Sequence, residues 1–320
     1  MKSKIVLLII ISMFFISTAS GQEFPRIKKA TIKSRVLYSL QQKLFFYKYT
    51  IKNDISSTGG ISTFNLDVSL VKEKVIDTVG LKFQNELLRN IFRRIYSLHK
   101  GKVLPVGVSQ VPEDWDGGTS LRTFGLSLFG PEILPGNTLD SIEINCVGLP
   151  SIRKVTFKIA EDTVIDQLPG LEDTTSTMTE AQRDSILASL AYTTWTVGPN
   201  VYADDISFVG ILDSIKSYTE RSAALKWIVD KKEDAKEKDD KKKDSKIVKE
   251  LMKYLDKARE QLVKNKTKEA KKKLEEFVEK VEEDYHENDK DGEKEKRGYL
   301  TSEAYALLKY NAEYLIEQLK

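Results

Sequence analysis

Glu113-Asp114-Trp115-Asp116-Gly117-Gly118 gathers three carboxylates around one indole. An indole face can stack on a sugar ring, and carboxylate oxygens can ligate calcium. Trp115, Asp114 and Asp116 are therefore the candidate ligand-binding residues. The same stretch also reads as a turn whose Trp pins a loop to the body of the protein, and its oxygen count is low for calcium. Other chemistry is thinly supplied. The two histidines, His99 and His286, stand far apart, so no Ser-His-Asp, Cys-His or zinc set can be assembled. The glycine pairs at 59–60 and 117–118 read as turns, not phosphate loops. Carboxylate catalysis would need two acids across a cleft, drawn from Glu113, Asp114, Asp116, Asp204 and Asp205. Glu287, Asp289, Asp291 and Gly292 resemble the opening of a calcium loop. However, Lys294 stands at the hydrophobic eighth position and Gly298 at the bidentate twelfth. The expectation is a protein that is not an enzyme, with no catalytic residues, no metal site and no cofactor.

The start of the chain sets the compartment. Lys2 and Lys4 precede an apolar run, Ile5 to Ile16, of about a dozen residues, shorter than the roughly 18 that span a bilayer. Ala19-Ser20-Gly21 supplies small residues for cleavage before Gln22, so residues 1–21 read as a signal peptide. The expected location is secreted or extracellular, with the periplasm and cell surface as alternatives, and the mature chain has no expected membrane span. Losing Lys2 and Lys4 takes the formal charge from +3 to +1. That near-neutral balance argues against a nucleic-acid partner. A lone cysteine, Cys146, excludes an internal disulfide. Alternation puts Ile142, Ile144 and Cys146 on one strand face, where Cys146 reads as a small buried hydrophobe.

Residues 22–160 are rich in β-branched, aromatic and turn residues. Lys43–Asn53 sets Phe45, Tyr47, Tyr49 and Ile51 on one side. Ile61–Leu70 does the same with Phe64, Leu66, Val68 and Leu70. With Ser56–Gly60 as a turn between them, they read as an antiparallel pair. Further strands are expected at 102–111, 120–129, 141–147 and 153–159, a spacing that suits an immunoglobulin-like β-sandwich. Asn85–Lys100 has helical spacing, and Arg89, Arg93, Arg94, Lys100 and Lys102 form a basic cluster that reads as a solvated face or an anion site.

Residues 161–229 read as a connector. A short helix runs to Ala191, Thr196–Pro199 breaks the chain, and Phe208–Val229 forms a docking helix with apolar residues at helical spacing. The character then changes. From Asp230 onward lie 25 of the 51 Lys+Arg and 25 of the 48 Asp+Glu. In 230–246, 15 of 17 residues are charged with mixed sign, which fits either a solvated helix extension or a tether. Residues 247–320 then read as three helices. The first seam is Ile247, Leu251, Leu255, Ala258 and Leu262. The second is Ala270, Leu274, Phe277, Val281 and Tyr285, with Thr267 as cap. The third is Ala304, Leu308, Asn311, Leu315 and Leu319, with Thr301 as cap.

These helices resemble the FIMAH-type helical domain, a small module at the C-termini of secreted bacterial proteins. The resemblance is carried by LMKYLDKAREQLVKNKTKEAKKKLEEFVEKVEE at 251–283 and LTSEAYALLKYNAEYLIEQL at 300–319. The segments TVGP at 196–199 and SFVGILDSIKSYTERSAALKWIVD at 207–230 look like the lead-in of exported proteins that pair an immunoglobulin-like sandwich with this module. The resemblance implies an extracellular accessory role and no particular chemistry.

The expected class is multidomain β + α, an N-terminal antiparallel β-sandwich followed by a C-terminal three-helix bundle. The expected function is a secreted non-catalytic module protein in adhesion or extracellular interaction, whose partner is a protein or glycan surface. The alternative is a carbohydrate-binding or carboxylate-dependent hydrolytic accessory protein. N-terminal sequencing of exported material should begin at or within a few residues of Gln22, whereas intact chain held in membranes would refute the signal.

Overall fold

The computed structural model describes residues 25–70, 104, 106–120, 125–160, 180–229, 246–285 and 299–319. The segment read as a signal at 1–21, the helix and basic cluster read at 85–102, the charged run 230–245 and the calcium-like loop 287–298 lie outside the described residues.

Two antiparallel sheets and five helices make up the described chain. The strands are β1 (Ala30–Ser39), β2 (Leu44–Asn53), β3 (Ile61–Asp67), β4 (Gly107–Gln110), β5 (Asp116–Ser120), β6 (Gly125–Ile133), β7 (Thr138–Cys146), β8 (Leu149–Lys158) and β9 (Tyr192–Asn200). The helices are α1 (Glu180–Leu190), α2 (Phe208–Ala224), α3 (Lys246–Val263), α4 (Thr267–Asp284) and α5 (Ser302–Gln318). One sheet runs β1-β2-β7-β4 and the other β5-β6-β3-β8-β9.

The inward faces follow the alternation. Tyr47, Tyr49 and Ile51 of β2 are fully buried, as are Ile142, Ile144 and Cys146 of β7 and Phe64 and Leu66 of β3. β2 and β3 do not pair with each other, however. β2 pairs with β1 and β7, and β3 with β6 and β8, so the turn at 56–60 carries the chain from one sheet to the other. Their aromatic stripes meet face to face instead: the Tyr49 and Phe64 ring centres are 5.6 Å apart, and Phe64 continues to Phe157 at 6.1 Å. Alternation defines which face is apolar but not which strand lies alongside, and a five-residue turn suits a change of sheet as well as a hairpin. The buried phenols are satisfied within this core. Tyr47 donates to the Gly148 carbonyl at 2.6 Å and Tyr49 to the Val197 carbonyl at 2.9 Å, and burial holds both far above the usual phenol range.

The stretch around Thr196–Pro199 is not a break. It lies within β9, which pairs with β8 from Leu149↔Asn200 to Phe157↔Tyr192 and completes the five-stranded sheet. Pro199 is tolerated because β9 is an edge strand, where a missing N–H can face outward.

The expected seams of α3 and α4 are buried: Leu251, Leu255, Ala258, Ala270, Leu274, Phe277 and Val281 are all fully inside. A fourth helix shares their core. α2 packs on both α3 and α5 and buries Ile211, Leu212 and Ile215 there. Two surface ion pairs, Lys216–Asp256 and Arg259–Asp213, link α2 to α3, and solvent screening keeps both weak. The threonine caps differ from expectation. Lys266, not Thr267, is the N-cap of α4, and Thr301 holds the N-cap place of α5 without a side-chain bond. The ends of the excursion that carries α3 and α4 are clamped together. Val229 N–H donates to the Tyr299 carbonyl at 2.9 Å, and Thr301 N–H to the Trp227 carbonyl at 2.9 Å.

α5 is buried nearly all round: Ala304, Ala306, Leu307, Leu308, Ala312 and Leu315 are fully inside. One side faces α2 and α4, and the other faces β1 and β8. β1 is an edge strand, and the outward backbone groups of Ser34 would otherwise be open for pairing. Ser34 N–H donates to Glu303 Oε1 at 2.7 Å, and Ser302 Oγ–H donates to the Ser34 carbonyl at 2.7 Å.

Glu303→Ala should lower unfolding stability by about 1–3 kcal/mol, read by urea denaturation, because it strands the buried Ser34 N–H. Glu303→Gln, which keeps an acceptor oxygen, should lose less. Cys146 yields a second expectation. Burial pushes its thiol up to about 12, partly offset by the Gly148 and Val147 N–H groups. The folded thiol stays protonated where an unfolded one ionises, so its contribution to stability is full below about pH 9 and is lost as pH rises toward 12. Iodoacetamide at pH 8 should label Cys146 only at the rate of unfolding.

Candidate functional site

The residues expected to bind a ligand are placed as follows. Trp115 is 6% exposed and lies over Gly130 of β6, where a Cβ would come within 2.5 Å of the indole. The ring therefore packs inward and pins this stretch to the sheet. The hexapeptide runs directly into β5. Gly117 takes φ +146° beside the Ser127 carbonyl, an approach that no side chain would permit. Asp114 and Asp116 stay at the surface, where Asp116 Oδ1 accepts the Gly117 N–H at 2.6 Å. Among the described residues no group of three His, Cys, Asp or Glu side chains is placed to hold a metal. Asp204 and Asp205 are exposed in the turn after β9. β5 and β9 are opposite edges of one sheet, four strand spacings or about 19 Å apart, against the roughly 5–9.5 Å that separates paired glycosidase acids. The structure does not bring these two acidic groups together.

It assembles a different site. A cleft of about 300 Å³ opens where the C-terminal half of α5 meets one end of the sheets. Its sheet-side wall is the β1–β2 hairpin, with Tyr38 ending β1, Lys43 in the turn and Phe45 opening β2. Lys43 takes φ +54°, which closes the hairpin tightly. The floor comes from Val147 and Leu149 at the β7–β8 turn and from Asn200, Val201 and Tyr202 leaving β9. The helix wall is Tyr310, Glu313, Tyr314 and Glu317, spaced i, i+3, i+4 and i+7 along one stripe of α5.

Asn311 locks these walls together. Fully inside the protein, it donates from Nδ2 to the carbonyls of Pro150 and Leu307, both at 2.8 Å. Its Oδ1 accepts the Tyr202 hydroxyl at 2.8 Å. The rings are also fixed by one another. Phe45 meets Tyr38 at 4.7 Å and Tyr310 edge-on at 5.3 Å, and Tyr202 stacks with Tyr314 at 5.7 Å. Tyr310 donates its hydroxyl to the Val36 carbonyl at 3.3 Å.

The helix wall is electronegative. Burial raises the Glu313 carboxyl above the usual range; Lys309 opposes this, while Glu282 and Glu317 add to it. Burial and then Glu317 raise the Tyr38 phenol. Lys309 is shared, pairing with Glu282, with the Tyr305 hydroxyl at 3.0 Å and with Glu313 at 3.8 Å. Among the described residues no Ser, Thr, Cys or His lines the cleft. Glu313 and Glu317 lie one turn apart on the same helix, so they stand on one side of any ligand and do not form an acid and base across a bond. The arrangement can hold a ligand by ring contact and charge.

Only Asn311 among these residues belongs to an expected seam. The α5 stripe had a sequence signal, two Tyr and two Glu at helical spacing beside the apolar seam. Of the hairpin and floor residues only Phe45, on the apolar face of β2, had one, because the rest are adjacent only once the sheets and α5 have packed. No protein-family model matches the chain, and no curated protein matches it. The likeness of the helical region to the FIMAH-type domain rests on the quoted residues alone.

Tyr202→Phe should cost about 1–3 kcal/mol of stability in thermal or urea unfolding, because it leaves the buried Asn311 Oδ1 without its donor. Tyr314→Phe, near the cleft mouth, should be close to neutral.

Proposed function

We propose that this chain is a secreted, non-catalytic module protein of adhesion or extracellular interaction, and that the cleft beside α5 is its ligand seat. In this reading the two sheets form an immunoglobulin-like sandwich, and the C-terminal helices form a FIMAH-type unit that borrows α2 as a fourth member. The observation that carries the proposal is the cleft itself: five aromatic rings and two carboxylates from both parts of the chain, locked by the buried Asn311. A binding site favours such preorganised ring surfaces, since little ordering is left to be done on association. Carbohydrate binding is the second reading. It is favoured by the exposure of Tyr38, a residue 39% open to solvent that lines the cleft with Asn200 and the carboxylates.

The test is a glycan and protein array probed with the chain from Gln22 onward, followed by titration of any hit. Tyr38→Ala and Tyr314→Ala should each weaken the captured ligand by roughly tenfold, or about 1.4 kcal/mol, with the melting temperature nearly unchanged. A ligand whose affinity ignores both changes and follows Asp114 or Asp116 instead would move the site to the β5 edge.

A further inference from the structure

The chemistry of the cleft walls narrows the class of ligand. Resting on the reading of the cleft as a binding site, we propose that it takes an organic cation with apolar substituents, of the alkylated ammonium class. The charge would lie toward Glu317 and Glu313, and the carbon groups against the rings.

Aromatic faces carry negative charge density and attract cations, most strongly those that shed water easily. Two of the tyrosines offer ring but not hydroxyl, because Tyr202 spends its O–H on Asn311 and Tyr310 on the Val36 carbonyl. Asn200 is partly spent as well, its Oδ1 accepting from Arg153 at 2.8 Å. A neutral sugar therefore loses these three polar groups and would bond chiefly to the carboxylates, whose charge it leaves uncompensated. Charge points the same way. Glu317 is exposed, and among the described residues no cation lies within ion-pair reach of it. Glu313 has only a 3.8 Å contact with a lysine that also serves Glu282. Among the described residues Lys43 is the single cation of the lining, and it sits on the opposite wall in the hairpin turn. An anion would meet two carboxylates and the π faces. A bare metal ion would give up more hydration than the rings return. A volume of about 300 Å³ is at the small end for ligand pockets and suits a head group more than a long chain.

The experiment is a titration of the whole mature chain at low salt with choline chloride, tetramethylammonium chloride, ammonium chloride and methyl glucoside. It is followed by tyrosine fluorescence and by proton shifts of the tyrosine rings. Saturable binding of choline and tetramethylammonium, with ammonium and the glucoside weaker by about tenfold or more, is expected. Glu317→Gln and Tyr314→Ala should each weaken choline by about tenfold, whereas Lys43→Met should leave it equal or tighter. All three variants should melt within a few degrees of the parent chain. Cosedimentation with phosphatidylcholine vesicles, with phosphatidylglycerol vesicles as comparison, separates a lipid headgroup from a free cation; either source carries the proposed chemistry. If the glucoside saturates the cleft and the ammonium compounds do not, the cationic ligand is overturned while the binding site stands. If none binds, and array ligands are indifferent to Tyr38→Ala and Tyr314→Ala, both readings fail.

Discussion

The contact between Ser34 and the start of α5 is the constraint on which the rest of the structure depends. An edge strand in water is tolerable, but one covered by a helix must have its outward N–H and C=O groups answered. Glu303 and Ser302 answer Ser34, and Tyr310 answers Val36 two residues along. The α5 side chains therefore do for β1 what another strand would otherwise do. Glu303 is 4% exposed, so the interaction is made away from water, where an unmade bond costs most.

From that seating follows the use of α5 as the common wall of two cores. A helix with neighbours on one side shows a narrow apolar stripe, and α3 and α4 do so. α5 has helices on one side and sheets on the other, and accordingly carries small and apolar residues around most of its circumference. The three alanines of Ala304–Ala312 (304, 306 and 312, all fully buried) let it approach both closely. Along its C-terminal half one stripe faces the cleft, and that stripe is tyrosine and glutamate, while Asn311, Ala312 and Leu315 stay buried. The cleft lies between the helix and the hairpin, and at its base Asn311 ties α5 to β8 through Pro150 and to the segment after β9 through Tyr202.

The chemistry expected in the Trp115 hexapeptide shows how a local pattern can be read two ways. An indole among acids looks like a sugar platform when exposed and like an anchor when buried, and the residues are the same. Gly130, fifteen positions away, makes the difference by leaving room for the ring. The β2 and β3 stripes teach a related lesson. Each was legible as an apolar face, yet the partner of each face came from the opposite sheet.

Read alone, the sequence determined the local periodicities: which residues of β2, β3, β7, α3 and α4 turn inward, that Cys146 is a core residue, and that most strands precede the helices. Those properties follow from 2.0- and 3.6-residue repeats and need no knowledge of neighbours. Tertiary structure alone decided which strands pair, that 192–200 is a strand, that α2 joins the later helices, and where the cleft lies. Each of these depends on groups far apart in the chain, such as Ser34 with Glu303 or Pro150 with Asn311. Their meeting is set by which packing buries the most apolar surface with every polar group satisfied, a property of the whole fold that no short stretch of residues carries.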